Sequence, residues 1–595
     1  MERIGEHKEA LVGRVRVVSG VVGVLIAALA GAFWFVQIVK GSHYRDLAEN
    51  NRLRRMAVKA PRGTIVDRNG RVLVENLPSY NLLLDRSRAA NVAESLRFAS
   101  PILGRPLPAL EELLQRYRSL PKFQPVLLGE GLSLEQVARV EVEELSHPEF
   151  LVEVSHRRLY RLGFHAAHVL GYLGEARPDE VADPKEHLVV GDWVGRRGIE
   201  RSYDGRLRGE DGEQVVVVDS RGQPVEELGR EMGRPGELVR LTLDAELQQE
   251  AERQLEGKVG AIVALDPRNG EIRALVSSPS FDPNLFARRL AVDDWRALID
   301  DPFRPLQNRA LQSAYPPGST FKVIVAAAGL AEGVIDTRDS VYCAGVKTYY
   351  KRPTHCWKAG GHGHMNLESA LKNSCDIFFY DLGQKLGIER IARYARMFDL
   401  GQATGIDLDG ERSGLVPDPE WSLRARRRAW YPGETISASI GQGALLTTPI
   451  QLATVFAAFA NGGRLVTPHL VEGADAPSHP LPLPATVLDP IRRGLWKVVN
   501  DKGTGQAAYV AGAEIAGKTG TTQVVTHTAF EDSSLRPWEE RNHAWFASYA
   551  PFSNPTIVIV VFIEHGGQGS RAAAPVAKAL YEKFLGPALG PAAAS

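Results

Sequence analysis

Residues 17–39, VVSGVVGVLIAALAGAFWFVQIV, run for 23 positions without a charge. As a helix, a run of that length spans roughly 30 Å, the hydrocarbon thickness of a bilayer. Ala28 and Ala30 also fit the spacing of a signal-peptidase site. Cleavage there leaves FWFVQIV near the new N-terminus with nothing evident to bury it, so an uncleaved transmembrane anchor over 17–39 is expected, preceded by a tail over 1–16. Arg3, Lys8, Arg14 and Arg16 precede the run, and Lys40, Arg45, Arg52, Arg54 and Arg55 follow it. The distribution of basic residues therefore leaves the orientation open.

At 595 residues the chain has room for several domains and at least one large core. Lys plus Arg and Asp plus Glu each total 71, and no long run of one sign occurs, so nucleic acid is not an expected partner. Residues 40–238 read as one mixed α/β module. APRGTIVDRNGRVLVEN predicts two strands about an Asn69-Gly70 turn, and LPALEELLQRY and SLEQVARVEVEEL predict amphipathic helices. The Gly- and charge-rich segment GDWVGRRGIERSYDGRLRGEDGEQVVVVDSRG suits a surface that connects or docks domains. From about 239 the pattern changes to a capped helix and a hairpin, GAIVALDP and EIRALVSSP about RNG. A second hairpin, HAWFASYAP and TIVIVVFIEHG, closes the domain near 585. Strands at both ends with helices between them predict an antiparallel sheet with helices packed on it. The tail over 586–595, GPALGPAAAS, is expected to be disordered.

In YPPGSTFK, residues 315–322, two prolines restrict the backbone and Gly318 frees it to turn. A helix is expected from Ser319, with the serine hydroxyl as its cap. Lys322 then sits one turn on, on the same face as Ser319. It opens the apolar run VIVAAAGL, where partial desolvation disfavours the charged form and suits the amine to accept a proton. A lone S-x-x-K reads as well as a helix cap beside a snorkelling lysine. Here it is followed, inside the same domain, by SCD at Ser374–Asp376 and KTGTT at Lys518–Thr522.

That ordered set resembles the motifs of serine β-lactamases and penicillin-binding proteins. The segments APRGTIVDRNGRVL, GIERSYDGRLRG, YPPGSTFK, GQGALLTTPIQLA and GKTGTT are similar to class B penicillin-binding proteins, specifically the penicillin-binding protein 2 branch that serves cell elongation. The resemblance implies an α+β chain: one N-terminal transmembrane helix, an elongated mixed α/β pedestal of the dimerisation type, and a C-terminal transpeptidase domain over 239–585. It implies a D,D-transpeptidase that cross-links peptidoglycan stem peptides, sits in the inner membrane with its N-terminus cytoplasmic, and works with a RodA-type SEDS glycosyltransferase and other elongation-complex proteins. Ser319 is then the nucleophile, Lys322 its base, and Ser374 a proton relay held by Lys322 and Lys518. Lys518, Thr519 and Thr521 hold the substrate carboxylate, Gly520 lets the peptide approach, and the N–H groups of Ser319 and Thr521 form the oxyanion hole. Asp376 replaces the asparagine of the commoner S-x-N, which leaves its role open. A membrane-anchored β-lactamase or β-lactam sensor shares the serine and lysines, though it has little use for a module of this size ahead of the site. A scaffold that activates a glycosyltransferase is a further alternative. A glycosyltransferase domain of the class A kind is not expected, because 40–238 lacks an E-D-x-x-F-x-x-H-x-G motif.

The three cysteines, Cys343, Cys356 and Cys375, all lie between the first two motifs, next to His355, His362 and His364. Three readings stand: a Cys343–Cys356 disulfide, free thiols, or a structural zinc on Cys343, Cys356, His362 and Cys375, with His364 as the alternative histidine. On a helix turning about 100° per residue, Cys375 faces such a metal while Ser374 faces the cleft.

Overall fold

The computed structural model describes residues 2–42, 53–118, 121–122, 124–186, 188–189, 191–218, 224–288, 290–524 and 535–589. The N-terminal helix Glu2–Trp34 continues into a π-helical turn, Phe35–Val39, closed by Lys40 N–H donating to Phe35 O at 2.9 Å. Its apolar part, Val12–Val39, is 28 residues long and is not covered by protein. It fits a single-pass membrane anchor. Residues 2–16, expected as a tail, belong to the same helix.

Two compact units follow from the packing. The first takes the chain through Pro61 with Pro78–Ser155 and Gly209–Pro235. Both amphipathic patterns form helices there, Leu107–Arg116 and Leu134–Val142. Ser133 and Gln136 cap the second reciprocally: Gln136 N–H donates to Ser133 Oγ at 3.2 Å and Ser133 N–H to Gln136 Oε1 at 2.8 Å. Leu96, Leu110 and Val137 from these helices and Val92–Leu103 close a small core over Leu82, Leu128 and Phe150. A separate antiparallel sheet joins Leu53–Val58, Gly212–Val218 and Pro224–Glu231 in that order.

The second unit takes everything from Gly236 on, together with Arg62–Leu77 and His156–Arg208. Two stretches of the 40–238 module thus pack with the C-terminal unit. Ile65–Val66 pairs in parallel with Val239–Arg240, and it pairs with Val72–Val74 across the expected turn, where Gly70 has φ 84°. Within the segment read as a surface that connects or docks domains, GIERSYDGRLRG is anchored: Gly198 N–H donates to Asp409 Oδ1 at 3.1 Å and Tyr203 OH to Asp407 Oδ2 at 2.8 Å. Glu200 is fully buried, with Arg62 Nε at 2.6 Å and Arg158 Nε at 2.7 Å on its two oxygens. Composition alone does not reveal that Glu200 has two buried partners.

Both predicted hairpins form, Gly260–Leu265 with Ile272–Ser278 and His543–Ala550 with Ile557–Ile563. They join edge to edge through Gly260–Leu265 and Ile557–Ile563, and Ala516–Thr522 adds beyond His543–Ala550, giving a five-stranded antiparallel sheet. Its strands bury both faces. Ala261, Val263 and Phe562 meet the helices Lys322–Ala331 and Pro449–Ala460, while Ile262, Ala264 and Val561 meet Ala245–Gln254 and Gly569–Leu589. Helices on both sides explain why Ile557–Ile563 reads IVIVVFI without polar alternation. The last helix runs to Leu589, so residues 586–589, expected in a disordered tail, are helical; 590–595 lie outside the described residues.

Candidate active site

The nucleophile candidate lies on a 3-10 turn, Gly318–Phe321, which feeds the helix Lys322–Ala331. Gly318 adopts φ 57°, and a Cβ there would sit 2.9 Å from Thr522 Oγ1. The turn is pinned to the sheet: Thr522 Oγ1 and Trp545 Nε1 donate to Pro316 O at 2.9 and 3.1 Å, and Gly318 N–H donates to Gly441 O at 2.9 Å. Pro316, Pro317 and Gly318 thus seat Ser319 beside the strand Ala516–Thr522. The expected Ser319 cap does not form, because the 3-10 turn supplies its own i,i+3 bonds; the half-buried hydroxyl bonds to no described residue.

Lys322 is fully buried. Its Nζ donates to Asp376 Oδ1 at 2.7 Å, Ser374 O at 3.0 Å and Ser374 Oγ at 3.3 Å. Lys518, also fully buried, donates to Ser374 Oγ at 2.8 Å and Thr519 O at 3.1 Å. Burial, and then the charge of Lys322, hold Lys518 well below the ordinary lysine value and favour its neutral amine. Burial raises the Asp376 carboxyl against the opposing pull of Lys322. Thr519 Oγ1 shares a 2.8 Å hydrogen bond with Thr504, and Thr521 Oγ1 accepts from Gly569 N–H at 3.3 Å. At Gly520 a Cβ would lie 2.9 Å from both Pro317 O and Trp545 Cβ, so the residue is needed for the strand to pass under the serine turn.

Ser374 is not on a helix. It occupies a left-handed position, φ 52°, between Leu367–Lys372 and Asp376–Met397, with Cys375 as the N-cap of the latter. The kink, rather than the helical turn expected from sequence, sends Ser374 to the lysines and Cys375 to the other side.

On that other side Cys343, Cys356, His362 and Cys375 place their ligand atoms within 4.8 Å of one another. His362 Nδ1 lies 3.7 Å from Cys343 Sγ and 3.5 Å from Cys356 Sγ, and its buried Nε2 has no partner among the described residues. All three cysteines are buried free thiols, so the disulfide is not formed. A hydrogen bond from Cys375 holds the Cys356 thiol far below its ordinary value, and the same contact drives Cys375 up. Three thiols and one imidazole fit a closed tetrahedral zinc site, whose ligand atoms stand about 3.8 Å apart. His355 and His364 face outward on their hairpins.

Sequence reasoning missed Trp357, which stands between the two sites. Its N–H donates to Asp376 Oδ2 at 2.9 Å and its Nε1 to Asn373 O at 3.0 Å. Nothing in HCWK marks these long-range bonds. The link between Asp376 and Lys322 was likewise hidden, although both residues belong to recognised motifs.

Known proteins share this arrangement of domains. The family described as the penicillin binding protein transpeptidase domain matches residues 260–582, and the penicillin-binding protein dimerisation domain matches 57–241. Peptidoglycan D,D-transpeptidase MrdA of Acinetobacter baumannii is 35% identical over 604 residues, covering 98% of this chain and 89% of its own. Its Escherichia coli K12 counterpart is 32% identical, covering 96% and 94%. Among solved structures, the complex of penicillin-binding protein 2 and MreC from Helicobacter pylori superposes with a TM-score of 0.82 at 28% identity, covering 90% of this chain and 99% of that one. A peptidoglycan synthase complex, described for its coordination of polymerization and crosslinking, superposes at 0.73 with 31% identity, covering 96% and 98%. The chain belongs to the class B penicillin-binding proteins, in the penicillin-binding protein 2 branch of peptidoglycan D,D-transpeptidases.

Proposed function

We propose that the chain cross-links stem peptides during cell elongation through an acyl-enzyme on Ser319. The observation that carries this reading is the convergence of Lys322 and Lys518 on Ser374 Oγ, in the domain where Ser319 stands half-exposed and unbonded to any described residue. Ser319 Oγ attacks the carbonyl of the penultimate donor residue, and Lys322 is the base that takes its proton. Ser374, between the two amines, relays a proton to the departing terminal amine. The acceptor amine then attacks the ester, and its proton returns by the same route. Ala516–Thr522 is one of the two edge strands of the sheet among the described residues, so the donor peptide adds alongside it, its carboxylate at Lys518, Thr519 and Thr521. Backbone N–H groups of Ser319 and Thr521 take the oxyanion.

The cluster of Cys343, Cys356, His362 and Cys375 holds a structural zinc, which ties the 341–365 hairpins to the Ser374 turn and takes no part in acyl transfer. The anchor places the N-terminus in the cytoplasm and the catalytic unit outside the inner membrane. With the non-catalytic module it docks a RodA-type SEDS glycosyltransferase, since an enzyme that polymerises no glycan needs strands made nearby. The MreC-bound and synthase-complex relatives support elongation-complex partners of this kind.

Labelling with a fluorescent penicillin and mapping the modified peptide tests the chemistry. A stable adduct on Ser319 is expected; label on another residue, or label lost by rapid hydrolysis, overturns it. Copurification of the glycosyltransferase is expected to survive Ser319→Ala and to fail when residues 1–60 are removed.

A further inference from the structure

Cys356 and Trp357 are consecutive, and together they hold Asp376 at both ends. Asp376 N–H donates to Cys356 Sγ at 3.4 Å, while Trp357 N–H donates to Asp376 Oδ2 at 2.9 Å. The Trp357 indole then reaches across to Asn373 O at 3.0 Å, on the far side of Ser374. One residue therefore grips the relay turn on both flanks, at 373 and 376. Ser374 sits between those grips with φ 52°, a conformation that costs a non-glycine residue free energy and persists only where its surroundings enforce it. The indole is half-exposed, so ordinary core packing does not account for its inward Nε1 bond.

We propose that Trp357 and Asp376 are positioning residues for acyl transfer: together they fix the Ser374 hydroxyl and the Lys322 amine relative to Ser319. The same geometry explains the aspartate. Its two oxygens face two donors, Lys322 Nζ at 2.7 Å and Trp357 N–H at 2.9 Å. An asparagine has one acceptor oxygen and turns its amide N–H₂ toward whichever donor remains. In this chain the third residue of the S-x-N-like motif is committed to the enzyme's own framework.

The inference rests on Ser319 as the acylated residue, and the test separates the two. Penicillin acylation is followed in wild type, Trp357→Phe, Asp376→Asn and the double variant, as rate per labelled site, with the binding constant and the acylation constant resolved. Trp357→Phe keeps the main-chain N–H and removes only the indole donor. The expected result is an acylation constant lowered about two- to twelvefold by Trp357→Phe, the range of one lost hydrogen bond. The loss is expected to be larger in Asp376→Asn and less than multiplicative in the double variant, with penicillin binding, metal content and the fraction of labelled sites unchanged. A merely structural role would lower the melting temperature or the labelled fraction and leave the constant per site intact. Wild-type acylation constants in Trp357→Phe and Asp376→Asn, with label on Ser319, overturn the inference and leave the nucleophile standing; label elsewhere overturns the reading beneath it.

Discussion

Lys518 Nζ and Ser374 Oγ are 2.8 Å apart although 144 residues separate them along the chain. The strand Ala516–Thr522 delivers the lysine and a left-handed kink between two helices delivers the serine, whose hydroxyl also lies 3.3 Å from Lys322 Nζ. The candidate active site is therefore a three-way closure among a sheet edge, a 3-10 turn and an interhelical kink.

Burial, and then the charge of Lys322, hold Lys518 well below its ordinary value of 10.5 in the folded chain, whereas the unfolded chain titrates near that value. Between the depressed folded value and that ordinary one, the unfolded state binds one more proton, so stability rises with pH through the window. Lys518→Met is expected to remove this slope. Denaturant titrations at pH 6 and pH 9 should show the variant gaining stability over wild type most at pH 6; an equal gain at both means Lys518 is charged in the fold.

The Ser319 hydroxyl makes no hydrogen bond to described residues, so Ser319→Ala is expected to abolish acylation while changing stability by less than about 0.5 kcal/mol. Thermal melting beside gel labelling checks both halves of the claim.

Gly520→Ala places a Cβ 2.9 Å from Pro317 O, a backbone atom that cannot rotate away. A loss of about 1–3 kcal/mol is expected from the forced shift. Acylation should fall with it, since Pro317 precedes the serine turn. A variant with unchanged melting temperature and acylation would show that the strand and turn separate freely.

Metal analysis of protein purified without a polyhistidine tag is expected to find about one zinc per chain, and three free thiols under denaturation with chelator. Cys375→Ser should release the metal, lower stability by more than the about 1 kcal/mol typical of a point substitution, and slow acylation. No metal and one free thiol would mean a disulfide.

Local patterns along the chain already determined much of this protein. An uncharged run of 23 residues is long enough to span a membrane as a helix, and the two hairpins announce themselves through short turns between apolar strands. Ser319 and Lys322 are close because one turn of helical chain, with two residues between them, separates them. Tertiary structure decided the rest. Glu200 looked like a surface charge until Arg62 and Arg158 were found buried against it, since solvation by a distant partner leaves no mark in local composition. The divergence of Ser374 and Cys375 comes from a positive φ that neighbouring segments impose on a non-glycine residue. Trp357 gained its place only when the hairpin folded onto the Asn373–Asp376 turn. Periodicity encodes which face of an element is apolar, whereas which donor meets which acceptor is settled by packing between elements far apart in the chain.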